Sequence, residues 1–150
     1  MLTLRPKGWW GGTYLVRDEA QQQVAELSIG FLVEHGRIST SLGDYAVRRE
    51  GLLRGPFCLE SQGGVVARAH KHPLRQIFEI DTADRRYLLR RLSFWSGEYA
   101  LLDGERKVAS LYRPMLLRRA QLAAGADLAL PVQLFLLRLM LLVWKRASSS

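Results

Sequence analysis

Four pairs of adjacent arginines, Arg48-Arg49, Arg85-Arg86, Arg90-Arg91 and Arg118-Arg119, are the residues here best equipped for recognition chemistry. A guanidinium keeps its charge at any physiological pH and forks onto two oxygens of a phosphate or carboxylate. Clusters of this kind suit the headgroups of anionic lipids, where each nearby basic side chain contributes about 1 kcal/mol. Neighbouring strand residues point to opposite faces, so a pair sends one side chain to a given face unless it lies at a strand end. The competing reading is a solvated strand edge whose charges discourage pairing with other chains. The chain as a whole is basic: 22 Lys and Arg against 14 Asp and Glu, net charge +8, with 18 of the 22 cations being Arg. Such a surface attracts polyanions: lipid headgroups, an acidic protein surface or nucleic acid.

Other reactive residues lead to less. His70 and His72 could share a metal, but no third ligand stands at a convincing spacing, and zinc sites want three or four. A place beside the turn at Pro73 is the expectation, with no metal. Asp81 and Asp84 read as a turn rather than a hydrolytic carboxylate pair. Cys58 has no partner for a disulfide and is expected to be a small core residue. Trp9-Trp10-Gly11-Gly12 is expected to pack over one end of the fold, with a membrane interface as the alternative. GxGxxG, P-loop, HExxH and GxSxG strings are all absent, so neither an enzyme nor a cofactor is expected. Met1 to Pro6 is too short and polar to be a secretory leader, which makes a cytoplasmic location the default.

The elements that must carry these residues come from an internal repeat. At an offset of 42, Val24-Ala25 falls on Val66-Ala67 and then on Val108-Ala109, and Leu32 on Leu74 and Leu116. Ile38 matches Ile80, Thr40 Thr82, Tyr45 Tyr87, Arg48-Arg49 Arg90-Arg91, and Gly55 Gly97. Each copy opens with a strand: Tyr14 to Asp18, Phe57 to Ser61, Tyr99 to Asp103. A short polar or glycine-bearing turn follows, Asp103-Gly104 being the strongest hairpin signal. Return strands are expected at Val24 to Ile29, Val65 to His70 and Lys107 to Tyr112. Further strands are expected at Leu74 to Ile80 and Tyr87 to Arg91. Four strands per copy and three copies give about twelve, the last copy losing its fourth strand to a helix and an N-terminal strand making up the number. Strands this short and regular make a sandwich or barrel, and three units are too few to close a propeller.

The C-terminal stretch is different in kind. From Leu130 it runs LPVQLFLLRLMLLVWKRASSS, with Pro131 suited to a first helical turn and Lys145-Arg146 to the negative end of the dipole. A helix over about 131–146 follows, with a disordered tail at 147–150. Only Gln133 and Arg138 interrupt its apolar surface up to Trp144, so it must be surrounded. A tail anchor would place Arg138 near mid-membrane, where insertion scales charge about 2.5–3.5 kcal/mol. A rod filling a barrel too wide to be plugged by its own side chains fits the 13-residue apolar run Val132 to Trp144 better. Arg138 must then reach a carboxylate, a carbonyl or the barrel mouth. The expectation is one mainly β domain over 1–150: a closed barrel of about twelve strands in three 42-residue repeats, enclosing a C-terminal apolar helix.

This arrangement resembles the tubby C-terminal domain superfamily, which includes the phospholipid scramblases and the LURP-one-related proteins. The residues carrying the resemblance are Trp95-Ser96-Gly97-Glu98-Tyr99 through Asp103-Gly104, Val108-Ala109, and Pro131 to Leu137 with Trp144-Lys145-Arg146. It spans Trp10 to Arg146. The resemblance implies a twelve-stranded barrel threaded by the helix and, as in tubby, phosphoinositide headgroups held by basic side chains on the barrel surface. The chain is shorter than those domains, and neither a phosphoinositide-binding motif nor the scramblase calcium-binding acidic segment aligns with it. The functional expectation is therefore a non-enzymatic binding domain for anionic phospholipid, peripheral to a membrane. Its site would be Arg48, Arg49, Arg85, Arg86, Arg90, Arg91, Arg118 and Arg119. A tail-anchored protein and a basic nucleic-acid-binding barrel are the alternatives; the latter requires aromatics interleaved with the cations for base stacking.

Overall fold

The computed structural model describes residues 1–8, 12–29, 35–51, 55–73, 75, 77–92, 97–113, 119–125 and 127–148, with side chains through 144. Twelve strands run in order: β1 (Leu2–Pro6), β2 (Thr13–Arg17), β3 (Gln23–Ile29), β4 (Gly36–Thr40), β5 (Gly43–Arg49), β6 (Phe57–Ser61), β7 (Gly64–Lys71), β8 (Ile77–Thr82), β9 (Arg86–Arg91), β10 (Tyr99–Asp103), β11 (Arg106–Tyr112) and β12 (Ala120–Ala124), then helix α1 (Leu130–Ser148). Each strand pairs antiparallel with its neighbour, and β1 pairs with both β2 and β12, so the sheet is a closed barrel. The N-terminal strand thus supplies the fourth strand of the third repeat. Leu2 stands opposite Leu122 as Tyr45 stands opposite Ile38 and Tyr87 opposite Ile80.

The repeated Val-Ala has a backbone cause. Pairing is regular at Val16–Ala25, Leu59–Ala67 and Leu101–Ala109, and then jumps to Arg17–Gln23, Glu60–Val65 and Leu102–Lys107. Val24, Val66 and Val108 are the extra residues of three β-bulges, one per repeat. A bulge bends and twists its strand, which is what closing a sheet demands. Three evenly spaced bends therefore curve the wall, and the alanine that follows each one faces inward and is buried.

Inside, strand residues alternate in the period-two pattern, with Leu27, Ile38, Leu59, Ile80, Leu89 and Leu111 fully buried. Eight strands would be filled by such side chains alone; twelve leave a lumen. A helix about 10–12 Å across with its side chains occupies it. Every residue from Leu134 to Met140 is at most 1% exposed, two full turns with no solvent face, so α1 is enclosed on all sides. The segment weighed above as a tail anchor is this rod, and no helix among the described residues is long and apolar enough to cross a membrane. Helix α1 continues to Ser148, past the expected end at 146, because nothing from Lys145 to Ser148 breaks a helix; residues 147 and 148 extend it rather than starting a tail.

Arg138, the one buried charge among the described residues, donates from Nη2 to the His35 carbonyl at 3.1 Å. Burial pushes its guanidinium down to about 10. Strand β8 runs from Ile77, whose carbonyl accepts from the His72 amide. Leu32, Leu74 and Leu116, like Trp9-Trp10-Gly11, lie outside the described residues.

Candidate functional site

Because the strands form a meander, the two barrel ends are built differently. Tight connections after β2, β4, β6, β8 and β10 gather at one end, where α1 also enters. The longer connections after β1, β3, β5, β7, β9 and β11 gather at the other, where α1 ends. At that second mouth, β5 and β7 end on Arg49 and Lys71, β9 ends on Arg91, and Arg113 follows β11. Their register partners are inward-facing aromatics: Arg49 stands opposite Phe57, Lys71 opposite Phe78 and Arg91 opposite Tyr99. The Arg49 guanidinium lies 5.1 Å from the Phe57 ring centroid, and that of Arg113 lies 5.3 Å from Trp144 at the end of α1. Aromatic faces attract cations, so these two guanidinium groups are held over rings at the mouth. Burial pushes the Tyr99 phenol up, and the neighbouring Arg91 charge works against that shift.

Arg49 also donates to the Gly55 carbonyl at 3.2 Å and lines an open cleft of about 590 Å³ with Pro56, His70, Lys71 and His72. His70 Nε2 stands 3.4 Å from Asp81 Oδ2, and among the described residues no cluster of three metal-ligating side chains is found.

The arginines singled out in the sequence separate into two groups. Arg49 and Arg91 join the mouth. Arg90 is exposed on the outer wall, and Arg119 is exposed just before β12. The others go elsewhere. Arg48 is held by Glu60 at 2.6 Å on the outer wall. Arg85 and Arg86 sit at the tight-turn end, bound to Asp103 and Asp81, each at 2.7 Å. Those carboxylates accept charged hydrogen bonds that raise the pKa of each arginine. Arg118 lies outside the described residues. The described members of these pairs therefore do not converge on one surface.

Lys71 and Arg113 belong to the mouth but were not among the expected residues. The signal was available: they are 42 residues apart, as Arg49 and Arg91 are, so two strand-end positions of the repeat each carry a cation in two successive copies. The opposite end also carries the acidic residues Asp18, Glu19, Asp44, Asp84 and Glu105. Comparison with protein-family models, curated proteins and solved structures gives no match to this chain.

Proposed function

We propose that this chain is a non-enzymatic binding domain that meets an anionic phospholipid surface end-on, through the mouth where α1 terminates. The observation carrying this reading is the gathering of strand-end cations at one mouth of the barrel. Arg49, Lys71, Arg91 and Arg113 stand together where α1 ends, and at the other end Arg85, Arg86 and Arg106 lie against Asp103, Asp81 and Asp127. A planar anionic membrane sums the attraction of such a gathering, which a point ligand cannot. The architecture is also the one that resemblance to the tubby-like superfamily implies, and lipid headgroups are the ligands that resemblance suggests. A nucleic-acid barrel is less well supported: Phe57, Phe78 and Tyr99 are each about 2% exposed beneath the cations and offer no face for a base.

The test is flotation with vesicles of phosphatidylcholine alone, with phosphatidylserine, and with a phosphoinositide. Arg49→Gln, Lys71→Gln and Arg91→Gln together are expected to weaken binding roughly 10²-fold, at about 1 kcal/mol for each charge. Arg85→Gln with Arg106→Gln at the other end is expected to change little. Equal loss from both sets, or binding that ignores Arg90→Ala with Arg91→Ala as well as the mouth set, rejects the reading.

A further inference from the structure

The three repeats place the same pair of outer-wall positions side by side, but fill them differently. Arg48 stands opposite Cys58 and Glu60 opposite Ala46, so Arg48 and Glu60 are diagonal neighbours and close an ion pair at 2.6 Å. In the next copy Arg90 stands opposite Ala100 and Leu102 opposite Leu88. At the β1–β2 seam, Arg5 stands opposite Leu15 and Arg17 opposite Thr3. Arg17, Glu60 and Leu102 are each the residue just past the bulge, so the correspondence is fixed by backbone register. Where the β5–β6 seam has arginine diagonal to glutamate, the β1–β2 seam has arginine diagonal to arginine.

Two like charges at diagonal positions of neighbouring strands repel, and an anion between them would offset that repulsion. Among the described residues no carboxylate is within ion-pair distance of Arg5 or Arg17, whereas Arg48, Arg68, Arg85, Arg86 and Arg106 each have one. Both are half-buried and line a depression of about 250 Å³ with Thr3, Lys7, Leu15 and Gln21. Lys7 is shared with Glu26 on β3 at 3.5 Å. Gln21 takes a positive φ of 63°, a conformation that strains a side-chain-bearing residue, where the hairpin turns of the other two repeats use Gly64 and Gly104. Glycine there would remove the amide that the depression now contains.

We propose that Arg5 and Arg17 hold an exogenous phosphate monoester in the place that the Glu60 carboxylate fills in the second repeat. Two guanidinium forks can each donate to a pair of phosphate oxygens, with the Thr3 hydroxyl and Gln21 amide as further donors. The site is on the barrel wall and uses none of the mouth cations, so it stands or falls separately from the end-on reading.

The experiment titrates the full chain with inorganic phosphate against chloride at matched ionic strength, by calorimetry and by thermal melting. Phosphate is expected to bind and to raise Tm, and Arg5→Gln to weaken it at least tenfold. Arg17→Glu recreates the Arg48–Glu60 pair; it is expected to melt higher than the native chain without phosphate and to lose the phosphate response. The Arg49, Lys71 and Arg91 triple variant is expected to keep it. A second arm uses phosphatidic acid vesicles: capture that depends on Arg17 makes a lipid headgroup the source, and binding of soluble phosphate alone makes it a free monoester. No phosphate-specific binding by the native chain, or undiminished binding by Arg17→Glu, overturns the proposal.

Discussion

Arg138 Nε lies 2.9 Å from the point where a β-carbon on Gly36 would stand, and the Ser28 carbonyl lies 2.4 Å from the same point. Glycine at this position lets β4 pass close to the enclosed helix while Arg138 reaches the His35 carbonyl.

Gly36→Ala is therefore expected to lose about 1–3 kcal/mol of stability in urea denaturation, the usual range for overpacking. Arg138→Met should be tolerated, staying within about 1 kcal/mol of the native chain or exceeding it, because an enclosed apolar side chain has no desolvation to offset. Combining the two should recover only part of the Gly36→Ala loss, since the Ser28 carbonyl still crowds the site. A loss above about 3 kcal/mol from Arg138→Met would show the guanidinium to be indispensable.

Much of this fold was legible because its causes are local and repeated. The Val-Ala recurrence at 42 residues marked the bulges, and an apolar run on every helical face demanded enclosure. What stayed hidden was non-local. That Arg85 and Arg86 meet Asp103 and Asp81 depends on which strands become neighbours, so the pairs looked like available cations in the sequence. Lys71 and Arg113 have no arginine beside them in sequence, whereas the mouth is built from single strand-end residues spaced by the repeat.

Cys58 is fully buried with Sγ donating to Glu50 Oε1 at 3.0 Å. Burial first, and then the Glu50 hydrogen bond and charge, push the thiol from 9.0 up to about 11. The thiolate is the nucleophile, so the folded chain should react with a thiol reagent at pH 8 at least 10²-fold more slowly than the same chain in urea. Since the folded value lies above the unfolded one, this group's contribution is whole below pH 9 and is lost as pH rises toward 11. Cys58→Ala should flatten the alkaline limb of a stability profile. Rapid labelling of the native chain at pH 8 would contradict the burial.

The acid limb has a different origin. A hydrogen bond from Arg48 holds Glu60 below its ordinary 4.5, and hydrogen bonds from Cys58 and then Arg68 do the same for Glu50. Both contributions are therefore complete above the unfolded value and lost as pH falls below it. The Arg48–Glu60 and Arg68–Glu50 ion pairs are open to solvent, so added salt should shrink the effect. Glu60→Gln should leave a shallower fall in Tm between pH 5 and 3 than the native chain shows, and an unchanged slope would mean that the acid transition is set elsewhere.

The largest effect should come from removing the rod. Leu134, Phe135, Leu136, Leu137, Leu139 and Met140 are all essentially without solvent exposure. Burying six such side chains contributes roughly 10–20 kcal/mol at about 1.5–3 each, as much as the whole net stability of an ordinary domain. A chain ending at Ala129 would leave the inward faces of twelve strands around an empty lumen, which the wall can relieve only by collapsing out of register. Such a chain should show no cooperative thermal transition, should bind a hydrophobic dye, and should lose amide chemical-shift dispersion. Supplying residues 130–148 as a separate peptide should restore part of the dispersion, because the missing term is filled volume rather than connectivity. A truncated chain with a native-like cooperative melt would show that the strands close without their helix.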